Sequence, residues 1–399
     1  MKWNVKDLFL GNKHKIGKFT CPYCYAEHSI KDCGLKCSYN IIGNVDKKCK
    51  FDIIKYDEKD GNITTYDWIP LAHKKKCINC KEAAKQLFCD VYKEKEIPIE
   101  FLSMKSLPIA LLGAKASGKS NYIGVLINEI KKRMTGPFNC SLSTTCSKES
   151  KEAYDKLYYR PLFKDGRTVW ATDAGVEVPP LIFPLRFMNA KNKIVNMAAL
   201  TFYDTAGENL NDKNEMHKFN RYITNAHGII LLLDPLQVPN IREKLTSNGF
   251  NTLPEQNTEI YDVLSVIIDV IRGTKNITGQ IPIPLALVFT KIDVLEQYNI
   301  LPENCCLREE SEHIKRGAFS MTDFENTNIQ MRDLIDNLLD AHLISYINQF
   351  EQHSFFGVSS LGGNPTGTTI DSKGIRPRRV LDPLLWLLAK NNYITILKK

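Results

Sequence analysis

The chain has 399 residues, 43% of them hydrophobic and 25% charged, and carries a formal net charge of +8. Such proportions describe a globular protein long enough for two domains. No apolar run approaches the roughly 18 residues that a membrane helix needs, and the opening Met-Lys-Trp-Asn-Val-Lys lacks the apolar centre of a signal peptide, so a cytoplasmic protein with no membrane contact is expected.

Charge and cysteine are unevenly spread. Residues 1–106 hold 20 Lys against 14 Asp/Glu, whereas the remainder is nearly balanced at 33 basic and 31 acidic residues. Eight of the twelve cysteines precede residue 90. Two compositions therefore meet near residue 100, which divides the chain into residues 1–100 and 101–399.

In the first part, Cys21-Pro-Tyr-Cys24 and Cys77-Ile-Asn-Cys80 are C-x₂-C knuckles. Such a turn brings two thiolates to one side of a tight loop, and two pairs complete a tetrahedron around Zn²⁺. In chain order Cys21, Cys24, Cys37 and Cys49 hold one ion. Cys77, Cys80 and Cys89 begin a second, completed by His73 or Cys33 because Tyr92 stands where a regular ribbon would place a cysteine. The alternative is a single ribbon from Cys21, Cys24, Cys77 and Cys80. Short strands and turns are expected here, not the βαβ setting of a thioredoxin-type redox pair. Two Cys₄–Zn sites would reduce the local +6 to about +2, modest for neutralising several phosphates. A protein-docking or structural ribbon is expected, and nucleic acid is not the expected partner.

Leu107–Leu112 is an apolar run of the kind a buried strand shows, and Asn121–Met134 repeats apolar residues at helical spacing. Between them, Gly113-Ala114-Lys115-Ala116-Ser117-Gly118-Lys119-Ser120 fits G-x-x-x-x-G-K-[ST]. Strand, glycine loop and helix are the context in which backbone N–H groups and a helix N-terminus face anionic phosphate. Lys119 would reach the β- and γ-phosphates and Ser120 would ligate Mg²⁺. Lys115, Ala116, Ser117 and Asn121 complete the loop's surroundings.

Further on, Ser147–Tyr159 reads as a helix, Lys164–Gly166 as a turn, and Leu181–Phe187 and Ile194–Tyr203 as strands. The second strand enters Asp204-Thr205-Ala206-Gly207-Glu208. An Asp at a strand end can hold Mg²⁺ through water, and the following Gly207 lets its N–H approach a γ-phosphate. Gly228–Leu233 is a strand, Ile260–Ile271 a helix, and Leu285–Phe289 a strand followed by Thr290-Lys291-Ile292-Asp293. The Asp293 carboxylate can accept two parallel hydrogen bonds from guanine N1–H and N2–H₂, which adenine cannot offer, while the aliphatic stem of Lys291 lies against the ring. Phe355–Val358 leads into Ser359-Ser360-Leu361, where a backbone N–H could meet guanine O6. Helices are expected at Arg332–Ile347 and Leu381–Ala389.

Taken together, Gly113–Ser120, Asp204–Gly207, Thr290–Asp293 and Ser359–Leu361 resemble the translation-factor and Ras-like class of P-loop GTPases over roughly residues 107–397. The cysteine-rich front end, the Asp-Thr-Ala-Gly-Glu form and the terminal Arg379–Leu388 stretch are similar to bacterial double-GTPase families of multi-gene conflict systems. The resemblance implies a doubly wound α/β P-loop domain behind a zinc ribbon. It also implies GTP/GDP with Mg²⁺, slow hydrolysis, and a bound state that governs a protein partner, in an antiviral setting. Homodimerisation across the nucleotide face could supply missing catalytic groups. Three positions depart from the class. Glu208 stands where Ras-like enzymes place Gln to orient water, which opens the alternative of a pseudo-GTPase adaptor holding guanine nucleotide structurally. Ala116 replaces the Asn of potassium-activated enzymes. The switch-one threonine has no clear mark: Thr172 is preferred over Thr168, Thr144 and Thr145, with Arg167 upstream as a candidate internal arginine finger.

Overall fold

The computed structural model describes residues 18–29, 34–37, 54–56, 63–65, 84–88, 96–97, 105–114, 117–143, 148–169, 180–202, 213–250, 253–254, 260–338 and 341–398. The chain separates into two compact units, Met1–Ser106 and Leu107–Lys399. In the first unit the described elements are short strands in antiparallel ladders. Lys18–Thr20 pairs with Glu27–Ser29, and Ile54–Tyr56 with Ile63–Thr65. Ala84–Phe88 lies between Gly34–Cys37 and Glu96–Ile97.

The second unit is built on a seven-stranded sheet. Its strands are β1 (Lys105–Gly113), β2 (Cys140–Leu142), β3 (Leu181–Met188), β4 (Ile194–Phe202), β5 (Gly228–Leu233), β6 (Leu285–Phe289) and β7 (His353–Gly357). Their spatial order is β7-β6-β5-β1-β4-β3-β2. β5 runs parallel to both β1 and β6, and β6 runs parallel to β7, whereas β3 is antiparallel to β4 and β2. Every residue of β5 and β6 is buried, as expected of strands covered on both faces. The register brings Gly113 opposite Leu232, Leu233 opposite Phe289, and Phe289 opposite Gly357. Four strands therefore end at one level, and the chain segments that follow them emerge along one edge.

Helices α1 (Lys119–Glu129), α2 (Lys213–Thr224), α3 (Ile260–Lys275), α4 (Ile292–Gln297), α5 (Glu312–Arg316), α6 (Met321–Leu338) and α7 (Asp382–Lys390) surround the sheet, with further helical segments between them. Buried residues of α1 and α7, among them Ile123, Leu126, Leu384 and Trp386, share one core with Ile109, Leu111, Ile230 and Leu232. A Cβ at Gly228 would lie 2.4 Å from Leu387 Cδ2, so the glycine that opens β5 admits α7 at close range.

Three helices differ from the sequence reading, each for a physical reason. The expected Arg332–Ile347 helix is described as Met321–Leu338 (α6) and Ala341–Ile347, with residues 339–340 outside the described ones. α6 begins eleven residues earlier than expected because its buried stripe of Asp323, Thr327, Met331, Ile335 and Leu338 opens with polar residues. Those residues are satisfied locally: the Thr327 hydroxyl donates to the Asp323 carbonyl at 2.9 Å, and Asp323 accepts from Arg379. The helix read as Ser147–Tyr159 continues through Phe163, because its Tyr154–Tyr159 section is widened to a π form ahead of Pro161. The helix after the glycine loop likewise ends in a π turn at Ile130–Met134. β2 was not foreseen; three residues give too short a pattern to read.

Candidate nucleotide site

The glycine loop joins β1 to α1. Gly118 has φ +84° and caps α1 in the left-handed region, where an L side chain is strained although no atom would obstruct it. Gly113 is required for the opposite reason: a Cβ there would lie 2.5 Å from Ser117 Oγ and 3.0 Å from the Leu232 carbonyl oxygen. The Ser117 N–H donates to Ala114 O at 3.1 Å, turning the loop back on itself. Lys119 and Ser120 are then the first two residues of α1, at the positive end of the helix dipole. Ser117 is 1% exposed, and among the described residues its Oγ has no hydrogen-bond partner. A buried hydroxyl of this kind, beside a glycine that admits no Cβ, fits an anion cradle. Lys115 and Ala116 lie outside the described residues.

The Thr290–Asp293 stretch turns out of β6 beside this loop. Thr290 is buried, and its hydroxyl lies 3.1 Å from Ser117 O and 3.3 Å from Leu233 O, while its N–H donates to Leu233 O at 3.0 Å. One side chain thus joins the glycine loop to the ends of β5 and β6. Lys291 follows in the left-handed region at φ +53°, and Asp293 sits in the first turn of α4. Ser359–Leu361 follows β7. The Ile292 N–H donates to Val358 O, and the Val358 N–H to Phe289 O, which hold the last segment against the T-K-x-D turn. The structure therefore brings together Gly113, Ser117, Gly118, Lys119, Ser120, Thr290, Lys291, Asp293, Ser359, Ser360 and Leu361 along one sheet edge.

Asn121, the residue after Ser120, also makes a contact of its own. Its Oδ1 accepts the Val169 N–H at 2.9 Å and so ties α1 to the segment ahead of residue 170. That segment is also fastened to the loop beyond Leu361: Thr168 N–H donates to Thr368 O, Ile370 N–H donates to Gly166 O, and Arg167 bridges Thr369. The Arg167 guanidinium reaches Asp165 at 3.3 Å and is about half exposed. Thr172, Asp204, Gly207 and Glu208 lie outside the described residues. α2, which begins at Lys213, is anchored by Tyr222, whose hydroxyl donates to Ile109 O at 2.7 Å and accepts the Leu111 N–H at 3.0 Å.

Two contributors escaped the sequence reading. Asp234, at the end of β5, is 3% exposed; its Oδ1 accepts the Leu236 N–H and its Oδ2 takes the Lys291 ammonium at 2.6 Å. Arg378 forms a two-way backbone bridge with Ser359, and its guanidinium bonds Glu296 of α4. A carboxylate that ends a buried strand at this edge was the available signal for Asp234; Arg378 offered none.

Behind this edge lies a buried ionic cluster. Arg379, at φ +54°, donates to both oxygens of Asp323, to Asp382, and twice to the Cys306 carbonyl. Burial opposes the charge of Asp323, but the bonds and charge of Arg379 prevail and hold its carboxyl below the usual range. His313 is 1% exposed, and burial lowers its pKa despite the carboxylates nearby. Its Nδ1 accepts the Ser320 N–H at 3.0 Å, which leaves the ring proton on Nε2, facing Asp323. His313, Asp323 and Asp382 lie close enough to suggest metal ligands, but Arg379 already supplies the cation.

In the first unit, Cys21 and Cys24 are buried, and the Tyr23 N–H points at Cys21 Sγ, 3.4 Å away. The Cys21 N–H donates to Ala26 O and the Tyr25 N–H to Cys21 O. A tight turn with an N–H aimed at sulfur fits a metal knuckle. Cys37 ends a strand, and Cys49, Cys77, Cys80 and Cys89 lie outside the described residues.

Among known proteins, the family model described as Double-GTPase 2 matches residues 107–350. The Mycolicibacterium smegmatis protein named "Putative ESX-1 scaffolding and assembly protein SaeC" is 26% identical over 304 residues, which cover 70% of this chain and 74% of that protein. Among solved structures, the small GTPase Arl6 of Trypanosoma brucei aligns over 73% of this chain and all of its own, at 13% identity and TM-score 0.28. The GTPase-like domain of Ski7 from Saccharomyces cerevisiae aligns over 72% of this chain and half of its own, at 14% identity and TM-score 0.30.

Proposed function

The chain belongs to the Double-GTPase 2 family, and we propose that it binds GTP with Mg²⁺, hydrolyses it slowly, and uses the difference between its GTP and GDP states to govern a protein partner. The observation that carries this reading is the Thr290 hydroxyl on Ser117 O: the segment suited to guanine and the loop suited to phosphate are fastened to each other, so one nucleotide can span both. Lys119 and the N–H groups of the loop hold the phosphates, Asp293 reads the guanine edge, and a Ser359–Leu361 backbone N–H meets its carbonyl. Ser120, Asp204 and Thr172 would hold Mg²⁺, which neutralises charge on the phosphates. Gly207 and Glu208 sit at the γ-phosphate end of this assignment.

Residues 1–100 form the docking module in this reading, with Zn²⁺ held by Cys21, Cys24, Cys37 and Cys49 and a second ion begun by Cys77, Cys80 and Cys89. A protein partner suits both the conflict-system resemblance and the scaffolding and assembly role in the name of the mycobacterial relative. Among the described residues no helix is long and apolar enough to cross a membrane, and a cytoplasmic site of action is part of the proposal.

The second reading, a pseudo-GTPase adaptor, rests on Glu208. A carboxylate beside the γ-phosphate adds like charge where a neutral amide would orient water. Titration with GTP, GDP and ATP in Mg²⁺, followed by a multiple-turnover phosphate-release assay with and without partner, separates the readings. Guanine preference with turnover supports the switch, and guanine preference without turnover in either condition supports the adaptor. Unchanged GTP binding by Lys119→Ala would overturn the loop assignment that underlies both.

A further inference from the structure

Asp234 has no place in the motifs that define the site, yet it is buried at the end of β5 and bonded to one of them. Its two oxygens do different work. Oδ1 accepts the Leu236 N–H at 2.9 Å and caps the short helical turn that follows β5. Oδ2 is thereby turned toward β6, where it meets Lys291 Nζ at 2.6 Å. The carboxylate is 2% exposed and the lysine side chain 30% exposed, so this pair is shielded on one side and open to solvent on the other.

Lys291 needs such a restraint. Its backbone occupies the left-handed region, which is strained for an L residue, and its long side chain would otherwise sample many rotamers near an anionic ligand. Thr290 fixes the residue before it through Ser117 O and Leu233 O. Asp293, two residues on, lies in the first turn of α4. The ammonium of Lys291 is therefore committed to Asp234, and its stem is held along a single course.

We propose that Asp234 is a positioning residue for guanine recognition: by binding the Lys291 ammonium it fixes the lysine stem as one wall of the base pocket and steadies the turn that presents Asp293. The inference rests on the reading of Thr290–Asp293 as the guanine segment. It assigns to the end of β5 a share in base specificity, with no contact to the nucleotide.

The test is a double-substitution cycle on the full chain, with GTP, GDP and ATP affinities measured by titration in Mg²⁺. Asp234→Asn retains an oxygen for the Leu236 cap while removing the charge that holds Lys291; Lys291→Met removes the other partner and keeps the stem's length. Each single change is expected to weaken GTP and GDP alike by about 5–10-fold, and the double variant to be no weaker than the worse single, as for residues acting through one contact. ATP affinity should stay as in the native chain. GTP and GDP affinities within about twofold of native in Asp234→Asn, or effects that multiply in the double variant, would overturn the proposal. Should Asp234→Asn not fold, Lys291→Met alone decides: a loss of guanine affinity supports a stem held in place, and native affinity removes it. Asp293→Asn is the control for the underlying reading, because an amide can donate to the C2 oxygen of xanthine. A turn toward xanthine nucleotides there, with Asp234→Asn silent, defeats this inference alone; no change of base preference defeats the guanine reading itself.

Discussion

Replacing Thr290 by valine isolates the contact that joins the two halves of the nucleotide site. Thr290 is 3% exposed, and valine matches its shape, so the change removes a hydroxyl and little else. The two acceptors do not lose equally. Leu233 O keeps the Thr290 N–H at 3.0 Å, whereas Ser117 O loses the donor that reached it at 3.1 Å. The loss of one neutral hydrogen bond, with an acceptor left partly unsatisfied, costs about 1–2 kcal/mol. Part of that appears as lower stability of the free protein. The part that depends on the pose of the glycine loop appears in binding, and about 1 kcal/mol there corresponds to roughly fivefold weaker affinity. Titration of GTP and GDP should show the same loss for both, because the contact does not involve the γ-phosphate. Thr290→Ser keeps the hydroxyl and should bind nucleotide as the native chain does. If Thr290→Val loses stability in denaturant but binds GTP and GDP normally, the hydroxyl does not position the loop. If Thr290→Ser is as weak as Thr290→Val, packing of the methyl group, and not the bond, is responsible.

Three further outcomes follow from the same geometry. Gly118→Ala meets no steric contact, but its φ of +84° makes the substitution cost about 1 kcal/mol or more, visible as a lower melting temperature and weaker binding of both nucleotides. Arg379→Met leaves Asp323 and Asp382 buried without their cation and should destabilise the chain by about 3–5 kcal/mol, measured by denaturant unfolding; a loss under about 1 kcal/mol would mean the cluster is solvated. The third concerns pH. His313 has a lowered pKa in the fold, so below the ordinary histidine value the unfolded chain binds the proton first. Stability is therefore full above about pH 6.5 and falls as pH drops toward the folded pKa, by up to about 1.4 kcal/mol per pH unit for one proton. Asp323, also lowered, adds a loss in the same direction as pH falls from its ordinary value through its folded value. His313→Asn, which offers an oxygen near the Nδ1 position for the Ser320 N–H, should flatten the slope between pH 7 and 5; an unchanged slope would assign it to other groups.

How much of this was legible in advance depended on whether the chemistry was local in sequence. The glycine loop could be read because an anion cradle of this kind needs two glycines and a helix start at fixed spacing, and Gly113 and Gly118 favour glycine for distinct reasons, one steric and one conformational. Strands β5 and β6 could be read because burial on both faces demands unbroken apolar runs. The start of α6 could not, since its buried positions Asp323 and Thr327 are satisfied by partners that hydrophobic periodicity does not register. Asp234 and Lys291 are 57 residues apart, and Arg378 and Glu296 are 82 apart; such pairs become visible only once the parallel register has set the strand ends side by side.

That register also explains what the long segment between α4 and β7 does in the fold. It is built in behind the Thr290–Asp293 turn and the end of β7. A Cβ at Gly357, the last residue of β7, would lie 2.8 Å from Met331 Sδ of α6 and 3.1 Å from both Leu307 Cδ1 and Ile292 Cγ2. The residues after Ser359–Leu361 return as Arg378 and Arg379, the first clamped to Glu296 of α4 and the second to Asp323 of α6 and Asp382 of α7. Ser359–Leu361 is held by backbone bonds between Ser359 and Arg378 and from the Arg376 N–H to Leu361 O, next to the apolar packing at Gly357. The outer part of the same loop pairs with Gly166–Thr168, and Asn121 of α1 holds Val169 directly after them. Gly166–Val169 is thus attached at once to the helix that starts at Lys119 and to the loop that follows Leu361.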